Sequence, residues 1–339
     1  MPLDRTTPLL FLPLRNLNPL RTNMPLLWLP LLLGGPSTEP SLPCGKGNCE
    51  AQAGLPINLV NGNVWITQRD YSLPGLGGGL AIDRTWNSLW IMRRDTLPAA
   101  GMFGDSWRST YEERIASFGS NFIKYYRSNG DGWWFQANGS SYQLANPPNE
   151  HATLVYNGTL GQYTITFADG TKRVFNGSGY LTAILDRNNN QVSITYDSSN
   201  RITTVTDAAS RNVTFTYANA SFPALATSAA DAAGNIANYT YDTSGRLSQV
   251  LYPDASQLNF AYDANGLITS VTDAQMKLIE SHTYDSSRRG LTSQRANGVD
   301  SVTITYPASG TTSLTDSMGN TTTFNYNYNG LSKFIITMG

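Results

Sequence analysis

The chain has 339 residues, a net charge of −1 from 23 basic and 24 acidic side chains, and a charged fraction of only 14%. The basic residues are scattered, so the sequence lacks the clustered positive charge of a nucleic-acid-binding protein, and we expect no nucleic-acid partner. Serine, threonine, asparagine, glycine and tyrosine dominate. This composition is typical of an extracellular β protein and predicts a secreted or cell-surface location.

Residues 1–43 are apolar and rich in proline, with nine of the 17 prolines and 14 leucines. Proline at this density prevents a long helix, so we predict a disordered or signal-like leader. The run from Pro25 to Leu33 fits the apolar core of an export signal that starts at Met24, and it is too short for a membrane span. The other interpretation is a wrongly assigned start codon, with residues 1–23 untranslated.

Residues 44–54 are predicted to be a linker that carries the two cysteines, Cys44 and Cys49, in Cys-Gly-Lys-Gly-Asn-Cys. In an exported chain these thiols can close a small disulfide loop. A zinc site needs two further ligands, and the two histidines, His151 and His282, lie about a hundred residues or more downstream. We therefore expect no metal site.

Residues 55–178 are distinguished by tryptophan, because six of the seven tryptophans lie between Trp65 and Trp134. Asn61-Gly62 is a strong tight-turn signal, and Leu76 to Leu80 (Leu-Gly-Gly-Gly-Leu) is typical of a bend between strands. We predict a β domain in this region. Its large aromatic side chains are expected to plug the end of a β stack, and the alternative is a surface that stacks on sugars.

Residues 179–339 contain a repeat in which a tyrosine closes a short alternating strand at intervals of 21, 24, 21, 22, 22 and 20 residues. A fixed period of this size indicates stacked supersecondary units. The residues that define the repeat, and that we predict to be structural, are Tyr196, Asp197, Tyr217, Tyr241, Asp242, Tyr262, Asp263, Tyr284, Asp285, Tyr306 and Tyr326.

Each unit combines Gly-x-(Leu/Ile)-x-x-(Val/Ile)-x-Asp, a turn, and an alternating strand that ends in tyrosine. Val192, Ile194 and Tyr196 alternate with polar residues, and a period of two places one face of a strand in the core. The aspartates recur once per unit, as turn residues do, whereas catalytic carboxylates occupy one unique place. We predict an all-β fold, in which hairpins stack into a curled, shell-like antiparallel sheet.

Two copies of the unit carry a family resemblance. Tyr241-Asp242 followed by Gly245-Arg246-Leu247, and Tyr262-Asp263 followed by Gly266-Leu267-Ile268, resemble the YD repeat of Rhs-family proteins. The resemblance implies a β-strand shell around a toxic or signalling C-terminal domain, as in bacterial polymorphic toxins, with teneurins as animal relatives.

The region ahead of the repeats extends the resemblance. Pro56 to Val64, Asp70 to Gly75 and Ile82 to Ser88 resemble the domain of unknown function that commonly precedes such repeats. The last unit breaks off at Gly339 before its closing tyrosine, so we expect a truncated piece of a longer product, an incomplete repeat array, and poor solubility. The partner implied by the resemblance is the C-terminal effector domain of that longer protein.

Catalytic patterns are missing from the sequence. Gly-x-Ser-x-Gly and His-Glu-x-x-His do not occur, and the two histidines stand on separate segments. We therefore predict no enzyme activity and no cofactor. The first functional hypothesis is a structural shell segment of an exported protein, and the alternative is a cell-surface module that binds carbohydrate through exposed aromatic rings. Buried rings favour the shell, and a solvent-facing row of rings favours the alternative.

Overall fold

A computed structural model describes residues 52–53, 56–90, 100–147, 150–328 and 334–338. The cysteines Cys44 and Cys49 lie outside the described residues, so their pairing stays a prediction. The predicted all-β fold class is confirmed, since the described elements are strands apart from two short 3-10 turns at Leu76–Gly78 and Ala296–Gly298. Among these residues, no helix is long and apolar enough to cross a membrane.

The N-terminal block, residues 56–113, is built from short antiparallel pairs and one three-stranded sheet in the order β3-β4-β7. A long hairpin, β3 with β4, is its central feature. The strands, which start just ahead of the block, are β1 (Gln52–Ala53), β2 (Ile57–Asn58), β3 (Trp65–Leu73), β4 (Leu80–Asn87), β5 (Ala100–Gly101), β6 (Gly104–Asp105) and β7 (Trp107–Ser109).

All later strands belong to one antiparallel sheet in which each strand pairs with the next along the chain. Its first part comprises β8 (Arg114–Phe118), β9 (Phe122–Tyr126), β10 (Gly132–Asn138), β11 (Ser141–Asn146), β12 (Ala152–Asn157), β13 (Gln162–Phe167), β14 (Lys172–Asn176) and β15 (Leu181–Leu185). The sheet runs through residues 178 and 179 without a break, and the predicted domain boundary there stays a prediction.

The first part of the sheet curls until it meets itself. Arg114 forms an antiparallel bridge with Tyr180, and the amide of Ile115 donates to the carbonyl oxygen of Gly179 at 3.0 Å. Strands β8 to β15 therefore curl around part of a hydrophobic core that continues into the repeats and the N-terminal block. Its fully buried members include Tyr125, Phe135, Leu154, Ile165 and Phe175.

The second part of the sheet continues the same meander through the repeats. Its strands are β16 (Gln191–Tyr196), β17 (Ile202–Thr206), β18 (Asn212–Thr216), β19 (Ser228–Asp231), β20 (Gly234–Tyr241), β21 (Leu247–Leu251), β22 (Gln257–Tyr262), β23 (Ile268–Thr272), β24 (Leu278–Tyr284), β25 (Gly290–Arg295), β26 (Val302–Ala308), β27 (Thr311–Thr315), β28 (Thr321–Tyr328) and β29 (Phe334–Met338).

A β-bulge explains why the first strand of each repeat departs from strict alternation. In the β16–β17 pair, Thr195 lies opposite Thr204 and Tyr196 lies opposite Ile202, so Thr203 is the extra residue. The bulge brings Ile202 and Val205, three residues apart, to the same buried face, where they are 4% and 0% exposed. Equivalent register shifts stand beside Tyr241, Tyr262 and Tyr284.

Candidate functional site

Four of the seven repeat tyrosines are followed by an aspartate, and this aspartate organises a tight turn. Oδ1 of Asp197 accepts the amide N–H groups of Ser199 at 2.9 Å and Arg201 at 3.0 Å, while Asn200 adopts a φ of 60°. Asparagine and glycine tolerate this left-handed conformation better than other residues. The hydrogen bond from the Arg201 amide holds the pKa of Asp197 below its usual value. The same pair of amide bonds is made by Asp242, Asp263 and Asp285.

The repeat tyrosines connect each unit to the one before it. Each of the six described hydroxyls donates to a backbone carbonyl oxygen 15 or 16 residues earlier, at 2.6–2.8 Å. The pairs are Tyr196 with Leu181, Tyr217 with Ile202, Tyr241 with Ala226, Tyr262 with Leu247, Tyr284 with Ile268, and Tyr306 with Gly290. Burial raises the pKa of Tyr217 and Tyr284 well above the ordinary tyrosine value. The backbone of Tyr326 lies in β28, and its side chain is outside the described part of the chain.

In three of these turns, an arginine four residues after the aspartate strengthens the connection, and sequence reasoning did not assign it a role. Arg201 binds Asp197 through its Nε at 2.6 Å, and its guanidinium lies 4.7 Å from the ring centroid of Tyr217, in the next unit. Arg246 stands in the same way over Tyr262, and Arg289 over Tyr306. The signal was present in the sequence as Asp followed by Arg at the fourth position, which places both at one turn. The resulting Asp–Arg–Tyr chain adds a cation–π contact between consecutive repeats.

The inner face of the repeat sheet packs against the N-terminal block, and backbone groups join the two directly. The amide of Ala226 donates to the carbonyl oxygen of Met102 at 2.8 Å, and the amide of Gly290 donates to the carbonyl oxygen of Gly62 at 2.8 Å. Farther along the sheet, the buried hydroxyl of Thr312 donates to the carbonyl oxygen of Leu59 at 2.6 Å. Residues up to 253 positions apart therefore meet in this seam.

Aromatic side chains fill the seam between the block and the repeats. Trp86 packs edge-on against Tyr284 with ring centroids 6.4 Å apart, and Trp107 does the same with Phe260 at 5.3 Å. The indole N–H of Trp107 also donates to the hydroxyl of Tyr262 at 3.3 Å. The six tryptophans among the described residues are at most 5% exposed, namely Trp65, Trp86, Trp90, Trp107, Trp133 and Trp134. Their rings belong to cores and not to a solvent-facing surface.

A buried ion pair stands at the centre of the seam. The guanidinium of Arg84 donates to both carboxylate oxygens of Asp70, at 2.5 and 2.8 Å, and both side chains are 0% exposed. Two other tyrosines of the repeat region bind the same carboxylate, with the hydroxyls of Tyr239 and Tyr252 donating at 2.9 and 2.7 Å. Burial by itself lowers the pKa of Arg84, but the Asp70 carboxylate outweighs burial and raises that pKa. The ion pair thus joins the block to β20, through Tyr239, and to the residue that follows β21, Tyr252.

Sequence reasoning missed this ion pair, although one signal was available. Leu80, Ile82, Arg84 and Trp86 alternate along β4, and all four are buried. A period of two in a strand with apolar neighbours places Arg84 on the core face. An arginine at such a position needs a buried acidic partner, but its identity depends on how the chain folds back.

No group of three or more histidine, cysteine, aspartate or glutamate side chains is placed to hold a metal within the described ranges. Two cavities, of about 430 Å³ and about 410 Å³, lie beside the first curl of the sheet, and Asp169, Thr171 and Arg173 line both of them.

The fold and the seam define a class of protein, an all-β wall of stacked tyrosine-tipped hairpins closed against an N-terminal block. Residues 126–286 match the family model described as "Teneurin YD-shell", and residues 54–142 match "Domain of unknown function (DUF6531)". The chain belongs to the Rhs/YD-repeat family, as its Tyr-Asp motifs predicted. The shell match begins at residue 126, within the first curl of the sheet.

Curated relatives share a shorter stretch of sequence. The chain is 27% identical over 154 residues to the tRNA3(Ser)-specific nuclease WapA of Bacillus spizizenii and, at the same identity and length, to the tRNA nuclease WapA of Bacillus subtilis. The aligned stretch is 43% of this chain, and it spans only 6% of the length of these relatives.

Among solved structures, the crystal structure of TcdB2-TccC3 is similar at 14% identity and a TM-score of 0.32, covering 83% of this chain and 16% of the other. The Tc holotoxin pore of Photorhabdus luminescens is similar at 13% identity and a TM-score of 0.26, with 83% and 15% of the two chains covered.

Proposed function

We propose that this chain is a wall segment at the plugged end of an exported protein container, whose content is an effector domain carried by a longer chain. The observation that carries this proposal is the direction of the rings. The six described tryptophans are buried, and the described repeat tyrosine rings pack against the core while their hydroxyls bind backbone carbonyl groups of the preceding repeat. A wall built in this way has a closed inner face.

The same observation supports the shell over a module that binds carbohydrate through exposed aromatic rings. Sugar stacking requires an accessible ring face, and the described tryptophans are at most 5% exposed. The buried Asp70–Arg84 pair also favours a structural role, because it joins the block to the wall and contacts no solvent. The block then serves as a plug.

The relatives extend the proposal to the longer protein. They are named as tRNA nucleases, and this chain aligns with only 6% of their length. We assign the aligned part to the wall and not to the nuclease, because the described repeat residues include turn aspartates bound to backbone amides and no convergent catalytic set. A composition rich in small polar residues and tyrosine supports a secreted or cell-surface location.

Containment is tested in the longer gene product. A recognition site for a sequence-specific protease is placed in the effector domain, and a second copy is placed in an exposed turn of the wall, at Gly158, as an accessible control. We expect the turn site to be cut in the native protein and the effector site to be cut only after the wall is unfolded. Equal cleavage of both sites in the native protein contradicts containment.

Two measurements on the chain itself complete the test. The Trp28→Phe variant keeps only the six buried tryptophans from Trp65 to Trp134. We expect acrylamide to quench their fluorescence several-fold less in the folded chain than in the urea-unfolded chain. Incubation with tRNA is expected to leave the tRNA intact. Cleavage that copurifies with the folded chain would show that the segment is itself an enzyme.

A further inference from the structure

The two ends of the curl formed by β8 to β15 differ in charge. Successive strands run in opposite directions, so the β8–β9, β10–β11, β12–β13 and β14–β15 turns emerge at one end, and the turns between them emerge at the other. The first four turns contain no charged residue, and they comprise residues 119–121, 139–140, 158–161 and 177–180. Their end of the curl is termed the uncharged end. The opposite end carries Arg127, Asp131, Glu150, Asp169 and Lys172.

The uncharged end also exposes apolar side chains. Val155, Tyr156 and Leu160 of the β12–β13 hairpin are 46%, 44% and 65% exposed, and they are three of the eight large hydrophobic side chains exposed among the described residues. The rings of Tyr156 and Tyr163 lie across the hairpin from each other, with centroids 4.5 Å apart. Neighbouring exposed apolar groups of this kind mark surfaces that contact a membrane or another macromolecule.

The tip of this hairpin is suited to an apolar environment because its backbone is bonded internally. Oδ1 of Asn157 accepts the amide N–H groups of Thr159 at 3.1 Å and of Leu160 at 3.2 Å. Amide groups that already have partners lose less free energy when water is removed from them. Three of the four turns are also uncovered, since a β-carbon added at Gly119, Gly139 or Gly161 would meet no described atom within 4 Å.

We propose that the uncharged end binds the surface of a zwitterionic lipid bilayer. Leu160 enters the acyl-chain region, and Tyr156 and Tyr163 lie at the level of the headgroups. Tyrosine is enriched at this level in membrane proteins, because its ring is apolar and its hydroxyl binds water and headgroup oxygens.

The charge at this end favours a bilayer without net charge over an acidic or basic partner. Arg114 reaches the uncharged end from β8, but its guanidinium donates to the carbonyl oxygen of Ser178 at 3.0 Å and lies 3.7 Å from the ring centroid of Tyr180. It therefore offers little attraction to an acidic surface. The proposal is independent of the container role, which concerns the inner face of the repeats.

The chain offers two leucines for the test that differ in place and not in exposure. Leu160 lies at the uncharged end, whereas Leu76 is 68% exposed and precedes Gly77, whose backbone amide donates to the carboxylate of Asp186. Flotation of the full chain with phosphatidylcholine vesicles, over a series of lipid concentrations, gives the partition coefficient and leaves aggregated protein at the bottom. We expect the chain to float, Leu160→Ser to lower the partition coefficient about fivefold or more, and Leu76→Ser to change it less than twofold. Raising NaCl from about 0.1 to 0.5 M should change binding about twofold or less, because charge contributes little.

A tryptophan at the same two positions reports the depth of insertion. In the Trp28→Phe chain, Leu160→Trp adds one exposed tryptophan at the hairpin tip. Its emission is expected to shift to shorter wavelength on the vesicles and to be quenched by phosphatidylcholine brominated in the acyl chains. Leu76→Trp in the same background is the control, and it is expected to show neither effect.

Four outcomes overturn the proposal. They are a chain that does not float, equal binding by the two serine variants, binding that requires anionic lipid and falls steeply with salt, and a dimer without lipid that Leu160→Ser converts to a monomer in light scattering. Attachment through the apolar residues 25–33 would leave Leu160→Ser bound as tightly as the unchanged chain, so it belongs to the second outcome. Both leucines are exposed, so the thermal midpoints of the serine variants should match that of the unchanged chain. If Leu160→Ser does not fold, Val155→Ser is compared with Leu76→Ser in its place.

Discussion

Breaking the buried ion pair is the sharpest test of the seam. Asp70→Leu leaves the Arg84 guanidinium, 0% exposed, without its carboxylate and removes the acceptor of the Tyr239 and Tyr252 hydroxyls. Uncompensated burial of one charge typically costs about 3–5 kcal/mol. That cost is a large share of the roughly 5–15 kcal/mol that stabilises a typical domain. We expect the single variant to lose much of its cooperative unfolding transition.

The double variant tests whether the cost of each single change comes from the charge that it leaves unpaired. Arg84→Met alone is expected to cost about 3–5 kcal/mol, because it leaves Asp70 charged and buried. Combining Asp70→Leu with Arg84→Met removes both charges, so the pair is expected to cost far less than the sum of the single changes. The coupling energy between the two sites should then be about 3 kcal/mol or more.

A second pair on the same two strands is the control. Arg69 and Asp83 form an ion pair at 2.6 Å, but their side chains are 62% and 27% exposed. Exposed pairs contribute about 0–1 kcal/mol, so removing this pair is expected to change the free energy of unfolding little. Urea unfolding followed by tryptophan fluorescence and circular dichroism measures all variants. Additive single costs at Asp70 and Arg84, or equal costs for the two pairs, refute a buried charge in the seam.

Three further outcomes follow from the seam and the repeats. Tyr217→Phe removes one inter-repeat hydrogen bond and is expected to cost about 0.5–1.5 kcal/mol in urea unfolding; no loss would show that the hydroxyl contributes nothing to stacking. Gly290→Ala places a methyl group 2.6 Å from Cγ2 of Val64, so we expect it to lower the free energy of unfolding by about 1–3 kcal/mol. The control Gly158→Ala, whose new methyl group has its nearest neighbour atom at 3.8 Å, should leave stability unchanged. Equal thermal midpoints for the two variants would argue against close packing at the seam. Burial raises the pKa of several tyrosines, so the folded state favours the protonated phenol over the phenolate. The stability that this preference contributes is fully present below about pH 10, the pKa of tyrosine in the unfolded chain, and is lost as the pH rises above it. The thermal midpoint should therefore fall above about pH 10, and a midpoint that stays constant to pH 11 contradicts the effect. The tyrosines concerned are Tyr196, Tyr217, Tyr239, Tyr241, Tyr262 and Tyr284.

The repeat could be predicted from the sequence because its determinants are local. Val192 and Ile194 alternate with polar residues, and this alternation alone places them on one face of a strand. The turn role of Asp197 also depends on neighbours within four residues. By contrast, the spacing of three between Ile202 and Val205 becomes intelligible only with the bulge at Thr203, which requires the partner strand.

The sequence by itself determined the hairpin unit, its period, the all-β class and the family, because each of these depends on residues that lie close together along the chain. Only the tertiary structure decided that the N-terminal block packs onto the inner face of the repeats. Leu59 meets Thr312 across 253 positions, and Asp70 meets Tyr252 across 182. Contacts of this separation depend on the curl of the whole sheet, which accumulates from the twist of every strand and leaves no local pattern to read.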